Sequence, residues 1–214
     1  MSKQHNTKHT SQARNEQYFT AQPQSAEQHL EFDVMLRGHQ VHVQSSAGVF
    51  SSHRLDPGTA VLLKGAPELP QQGNFLDLGC GWGPISIAMA LESPRAQVWA
   101  LDINERALQL TTANAKHLGL NIHAGTADNI DPELQFDVIW SNPPIRVGKE
   151  ILHSLLLTWL PRLAAGGNAY LVVQKHLGSD SLAAWLQETL PDEYAVSKYS
   201  SSKGYRILSV HRAA

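Results

Sequence analysis

The sequence predicts an α/β fold: a mostly parallel sheet of seven strands covered by helices, closed by an antiparallel C-terminal hairpin and preceded by a small hairpin-and-helix lobe. Three observations predict it. From Asn74 onwards, short apolar runs alternate with segments of helical period, which builds a parallel sheet covered on both faces. The last two runs, "EYAVSKYS" and "KGYRILSVHR", read as antiparallel strands. Residues 31–45, "EFDVMLRGHQVHVQS", alternate apolar and polar on both sides of Arg37-Gly38, which reads as a separate β-hairpin.

The elements follow in order. Residues 1–28 are rich in Gln, His, Ser, Thr and Asn and bury too little to order fully; Tyr18 and Phe19 are the exceptions, able to dock. The lobe spans 29–70, with the hairpin and a helix near Gly58–Lys64. The core spans 71–214. "NFLDLG" is a strand ending in glycines, and "PISIAMALE" a helix with proline at its first position, where no N–H is missed. "AQVWALD" is a strand. "NERALQLTTANAKHLG" is a helix capped by Asn104 and stopped by Gly119. "LNIHAG" and "QFDVIW" are strands, and "KEILHSLLLTWLPRLAAGG" reads as a helix ending in Gly-Gly. "NAYLVVQK" is a strand and "SDSLAAWLQETL" a helix capped by Ser179 or Asp180.

The bulk numbers bound the function. With 214 residues, 42% apolar and 17% charged, the chain is a globular domain that needs no staples. A net charge of −2 gives no strongly basic total, although a local basic patch is compatible with it. One cysteine, Cys80, excludes an internal disulfide and a cysteine zinc site. The eleven histidines show no zinc spacing, so no metal is expected. No apolar run reaches membrane-spanning length, and "MSKQHNTKHTSQARNEQ" carries no secretory signal, so a cytoplasmic protein is expected.

"LDLGCGWGP" lies where the first core strand turns into the first core helix, the place where open parallel sheets bind ligands. A dinucleotide fingerprint needs Gly79, Gly81 and a Gly or Ala at 84; here 84 is proline and the third glycine is Gly83. No Gly-Lys-Ser/Thr follows, so it is not a P-loop. Asp102, 21 residues after Gly81, ends the second strand and can accept from two ribose hydroxyls. Asp77 precedes the glycines and can anchor an amino group or brace the loop. Asp128 follows the third strand and can receive an adenine amine. A ligand with an amino acid, a ribose and an adenine but no pyrophosphate is S-adenosylmethionine. Each acid alone can equally be a helix cap; three in step with the glycines point to the ligand.

With "ALDINERAL" and "SNPP", this loop resembles the class I S-adenosylmethionine-dependent methyltransferases. "QYFTAQP", "GVFSSHRLDPGT", "SNPPIRVGKEILH", "VVQKHLGSDSL" and "KGYRILS" narrow the resemblance to RsmC-type guanine-N2 methyltransferases of small-subunit ribosomal RNA, chiefly their short single-domain relatives. The resemblance runs from about Tyr18 to the C-terminus. It implies a Rossmann-like fold, an RNA or ribosomal-particle substrate, and a cofactor-binding set of Asp77, Gly79, Cys80, Gly81, Gly83, Asp102, Ile103, Asp128 and Asn142. Two departures stand out. The 214 residues match only the catalytic half of the longer members. Those members usually carry an aromatic after the prolines, where this chain has Ile145, as the short relatives do.

The stretch "SNPPIRVGKE" closes the fourth core strand. Two prolines stop pairing and forbid helix, and the first keeps Asn142 extended. A stiff corner aims oxygens: the Asn142 side chain and the Pro143 carbonyl can each accept one N–H of an amine conjugated to a π-system. Pro144 completes the corner. Such positioning lowers a barrier by up to ~7–11 kcal/mol, and the two acceptors tighten as the nitrogen becomes positive. Ile145 is placed against a base face. Arg146, Lys149 and Lys175 are placed to meet RNA phosphates, with Arg54, Lys203 and Arg206 as extensions. Cys80 reads as a small loop residue rather than a nucleophile. Trp99, Trp140, Trp159 and Trp185 read as core; Trp82 borders the cofactor or packs the loop. The same corner serves adenine N6 or a protein glutamine amide, and a non-enzymatic RNA-binding protein is the remaining alternative.

Overall fold

The computed structural model describes residues 29–46, Val49 and 54–214, omitting the side chains of His29 and Arg146. Tyr18, Phe19 and most of "GVFSSHR" lie outside the described residues. The lobe hairpin pairs β1 (His29–Leu36) with β2 (His39–Ser46), and α1 (Pro57–Gly65) follows. The core then runs β3 (Asn74–Leu78), α2 (Pro84–Glu92), β4 (Gln97–Leu101), α3 (Glu105–Leu118), β5 (Ile122–Gly125), β6 (Phe136–Ser141), α4 (Lys149–Trp159), β7 (Leu163–Gln174), α5 (Ser179–Thr189), β8 (Tyr194–Ser202) and β9 (Tyr205–Arg212). The sheet order is β5-β4-β3-β6-β7-β9-β8, parallel from β5 to β7 and antiparallel across β9 and β8. The expected Rossmann-like α/β architecture with its lobe is therefore present.

Side chains along β3 alternate between two apolar layers. Phe75 joins residues of the hairpin, α1, α2 and α3 on one face, with Trp140 and Ile207. Leu76 and Leu78 join α4 and α5 on the other, with Ile139, Leu156, Trp159 and Leu186. Strands buried on both faces explain why these runs are continuously apolar. Trp140 and Trp159 are buried as expected, whereas Trp99 and Trp185 are only half-buried.

Arg37 and Gly38 have positive φ, 47° and 88°, the two-residue turn that matches strand twist. Arg37 also ties the lobe to the core. Its Nη1 donates to the carbonyls of Leu63 (2.6 Å) and Ala66 (3.1 Å), Nη2 to that of Pro67 (3.2 Å), and Nε to Glu92 Oε1 (2.6 Å). Arg37→Ala strands these acceptors together with Glu92, so a loss of about 2–3 kcal/mol is expected in urea unfolding.

Two boundaries differ from expectation. The helix over 149–167 stops at Trp159. Leu160–Arg162 is a single 3-10 turn around Pro161, which lacks an N–H, and Leu163–Gln174 is already strand. Leu163 pairs with Phe136, and the register shifts before Val138. A Cβ on Gly167 would stand 2.9 Å from the Phe136 and Ala164 carbonyls, so the Gly-Gly makes a bulge rather than a helix end. Second, α5 is preceded by Gly178 as its cap, not capped by Ser179 or Asp180. Ser179 is its buried first residue, and Asp180 pairs with Lys198 and Arg206.

Candidate active site

The sheet changes winding direction at β3, with β4 on one side and β6 on the other. A cavity of about 190 Å³ opens at the carboxyl ends of these strands. Its floor is the glycine turn: Gly79, Gly81 and Gly83 have φ of 84°, 58° and 94°. A Cβ on Gly79 or Gly81 would meet no protein atom within 4 Å, so the absent side chains leave room in which a ligand can lie against the backbone. Gly83 differs: a Cβ there would press on Thr111 at 3.0 Å, so this glycine serves the packing of α2 on α3.

Asp102 stands beside the turn at the end of β4. Its Oδ2 accepts from the Gly81 N–H (3.0 Å) and its Oδ1 from the Asn104 N–H (2.9 Å). It lines the cavity with the exposed Ile103. Burial raises its pKa, partly offset by these N–H donors. A carboxylate fixed by its neighbours' backbone and facing a cavity suits a pair of hydroxyls.

Asp77 is fully buried and does not line the cavity. Its Oδ2 accepts from the Ser86 N–H (2.9 Å), bracing the first turn of α2, and Oδ1 has no partner. Desolvation pushes its pKa up to about 7. The neutral form is thus favoured by folding, and its contribution is complete below the ordinary value near 3.8 and lost as pH rises through about 7. Apo-protein stability is expected to fall by up to ~1.4 kcal/mol per pH unit from this group between those limits. Urea titrations of wild type and Asp77→Asn at pH 5 and 8 check this; the variant should flatten the slope.

Asp128 lies in a 3-10 turn, Ala127–Asn129, that is closed by Thr126 and Asn129. It is exposed, and Ala127 lines the cavity instead. Cys80 lines the cavity but is buried, and desolvation pushes its thiol well above the ordinary value, against a nucleophilic role. Trp82 lines the cavity and packs edge-on against Phe32 of the lobe hairpin at 5.5 Å.

The Asn-Pro-Pro corner closes the opposite wall. Ser141 Oγ donates to the Leu78 carbonyl (2.6 Å), tying the end of β6 to the end of β3. Pro144 has φ −74° and ψ 77°, and the Ile145 N–H reaches back to the Pro143 carbonyl at 2.8 Å, an inverse γ-turn centred on Pro144. The Pro143 carbonyl therefore has one partner already and one lone pair remaining. Asn142 and Pro144 line the cavity; Pro143 is buried. Ile145 is half-buried against the α4/α5 layer and is not among the residues that line this cavity. Ile151, Leu155 and Trp159, on one stripe of α4 at four-residue spacing, supply an apolar wall instead. That stripe was visible in the sequence as a helix face wider than the core needs.

Sequence reading also missed Asp56, Thr59 and Val49 from the lobe, which line the same cavity. Lys149 and Lys175 are exposed near the strand ends, and Lys175 N–H donates to the Gly204 carbonyl (2.9 Å). Arg206 pairs with the exposed Asp180, which offsets part of its charge at that edge. Among the described residues no group of His, Cys, Asp and Glu can hold a metal, and no helix is long and apolar enough to cross a membrane.

Residues 40–209 match the family model of the methyltransferase small domain. The Bacillus subtilis protein YbxB is 31% identical over 201 residues, covering 92% of this chain and 98% of its own. The ribosomal RNA small subunit methyltransferase C of Shewanella amazonensis is 32% identical over 171 residues, 76% of this chain. This chain spans about half the length of that relative, 50% of it. Among solved structures, the Thermus thermophilus 16S rRNA N2 G1207 methyltransferase, in complex with AdoMet and guanosine, superposes with a TM-score of 0.74 at 22% identity, covering 89% of this chain and 52% of that one. The chain belongs to the methyltransferase small domain family, and is a class I methyltransferase whose cofactor is S-adenosylmethionine.

Proposed function

We propose that this chain transfers a methyl group to an exocyclic amine of RNA, guanine N2 of 16S ribosomal RNA. The observation that carries the reading is Asn142, set on a rigid corner across one cavity from the glycine turn and Asp102. Gly79, Cys80, Gly81, Asp102 and Ile103 would hold the donor, with Asp77 bracing the turn from beneath. Bound there, S-adenosylmethionine supplies a sulfonium methyl that is already electrophilic. The chain's own task is to orient the acceptor. The Asn142 side-chain oxygen and the second lone pair of the Pro143 carbonyl take the two N–H groups of the amine and point its nitrogen at the donor. As that nitrogen gains positive charge its N–H groups become stronger donors, so both contacts tighten in the transition state. No strong base is required: the methylated nitrogen is acidic enough to give its proton to water.

The apolar stripe Ile151, Leu155 and Trp159 offers a flat base an apolar surface to pack against. Lys149 and Lys175 would meet phosphates at the rim, and Arg146 belongs with them by position. The curated relatives named for ribosomal RNA support the choice of substrate, and a cytoplasmic location follows from it. One relative, 34% identical over 64% of this chain, is named as a large-subunit enzyme, methyltransferase G of Pseudomonas syringae, so both subunits need examination.

The test is to delete the gene, map modified bases of both ribosomal RNAs by mass spectrometry, and restore the mark with purified protein. Loss and restoration of one N2-methylguanine in 16S RNA is expected. Loss of N6-methyladenine, or of methylglutamine in a protein, would move the substrate to another conjugated amine.

A further inference from the structure

The segment "RLDPGT" at the start of α1 is not used by any step above. Asp56 is the cap of α1, its Oδ2 accepting from the Gly58 N–H (2.7 Å) and the Thr59 N–H (3.0 Å). The same Oδ2 accepts a third bond, from Asn142 Nδ2 at 2.7 Å, across 86 residues of sequence. Asn142 Nδ2 also donates to Thr59 Oγ1 at 3.1 Å. Both hydrogens of the amide nitrogen are thereby directed into the lobe. The orientation of the amide follows from the chemistry: an oxygen that accepts two backbone N–H groups is an acceptor, and it repels an amide oxygen turned towards it.

Gly58 makes the approach possible. A Cβ there would stand 2.9 Å from Asp56 Oδ2, 3.2 Å from Asn142 Nδ2 and 3.0 Å from Tyr205 Cε1. Asp, Pro, Gly and Thr in this order thus supply a cap, a helix start, a gap and a second acceptor. The gap lets the helix start press on the catalytic corner.

We infer that Asp56, seconded by Thr59, is a positioning residue that locks the amide of Asn142 by its nitrogen, so that only the carbonyl oxygen is left to face an incoming amine. Were the amide free to rotate, half of its orientations would offer an amine two hydrogens instead of a lone pair. The lock also makes the lobe part of the catalytic machinery: α1 must be seated for Asn142 to be oriented. This inference rests on the proposed role of Asn142.

Serine is a good helix cap but is too short to reach Asn142. Asp56→Ser is therefore expected to keep α1, leaving the thermal midpoint within about 2 °C and S-adenosylhomocysteine affinity within about threefold. It should lower kcat about 30- to 100-fold with KM little changed, because misplacement of a positioned group acts on the chemical step. Asp56→Asn keeps an accepting oxygen and should recover most of that rate; Thr59→Val should show a smaller loss. Activity is read as transfer of labelled methyl from S-adenosylmethionine to small subunits isolated from the deletion strain. In parallel, the Asn142 side-chain NH2 signals, assigned in a ¹⁵N spectrum by their loss in Asn142→Ala, should shift in Asp56→Ser towards free-amide positions and not in Asp56→Asn. Unmoved NH2 signals in Asp56→Ser overturn the lock whatever the substrate proves to be. If Asn142→Ala loses transfer and Asp56→Ser keeps the wild-type kcat, the lock is again overturned while the role of Asn142 stands. If Asn142→Ala itself transfers at the wild-type rate, the reading beneath it fails instead.

Discussion

Asn142→Ala is expected to lower methyl transfer about 10³-fold, while S-adenosylhomocysteine binds within about threefold of wild type. The loss belongs to the chemical step because the amide oxygen holds the acceptor nitrogen only when a substrate amine is present. The prolines behind it are fixed by a γ-turn and by the tie between β6 and β3, so truncating one side chain does not collapse the corner. Single-turnover transfer and calorimetry separate the two quantities. A large loss of donor affinity with transfer intact at saturation would make Asn142 a cofactor ligand and nothing more.

Asp102→Ala is the complementary case and should fail at binding. Its carboxylate spans the Gly81 and Asn104 N–H groups and lines the cavity where two hydroxyls of the donor would sit. Losing hydrogen bonds to a charged acceptor, about 1.5–3 kcal/mol each, predicts a donor affinity at least ~100-fold weaker. Titration with S-adenosylhomocysteine checks it. At saturating donor most of kcat should return, since nothing in the alanine variant disturbs Asn142. Affinity close to wild type would remove Asp102 from the donor site.

The two variants divide the cavity as the two parts of the sequence divided it. The glycine turn and Asp102 were legible because both belong to one βαβ unit, where spacing along the chain fixes spacing in space. The hairpin turn at Arg37-Gly38, the caps Asn104 and Gly119, and the strand-helix alternation were legible for the same local reason. Asp56 was not: its partner lies 86 residues away, and a Leu-Asp-Pro-Gly run reads as a helix start, which it also is. The packing of Ile145 was not legible, because its neighbours in sequence said where the backbone goes, not which face of the turn meets the α4/α5 layer. The first part of β7, 163–167, was hidden by alanines and glycines that carry no period of their own; pairing of Leu163 with Phe136 of β6 decides it. Asp128 was legible as a loop-end acid, and its exposed 3-10 turn stands beside the cavity through Ala127.

Arg37 and Asp56 together give the lobe two different jobs. The first binds the hairpin to the end of α1 through backbone carbonyls and to the core through Glu92 of α2, and the second brings the lobe against Asn142. A lobe loosened by Arg37→Ala should therefore lose some turnover as well as stability, and the two losses should rise together with temperature.

The most direct measurement is a crystal structure with S-adenosylhomocysteine and guanosine bound together. Ribose hydroxyls of the cofactor are expected on Asp102, its sulfur open towards the corner, and the guanine amine within hydrogen-bond distance of Asn142 Oδ1, with Nδ2 still on Asp56. A cofactor lodged outside this cavity, or Asn142 Oδ1 turned away from the amine, would contradict this arrangement.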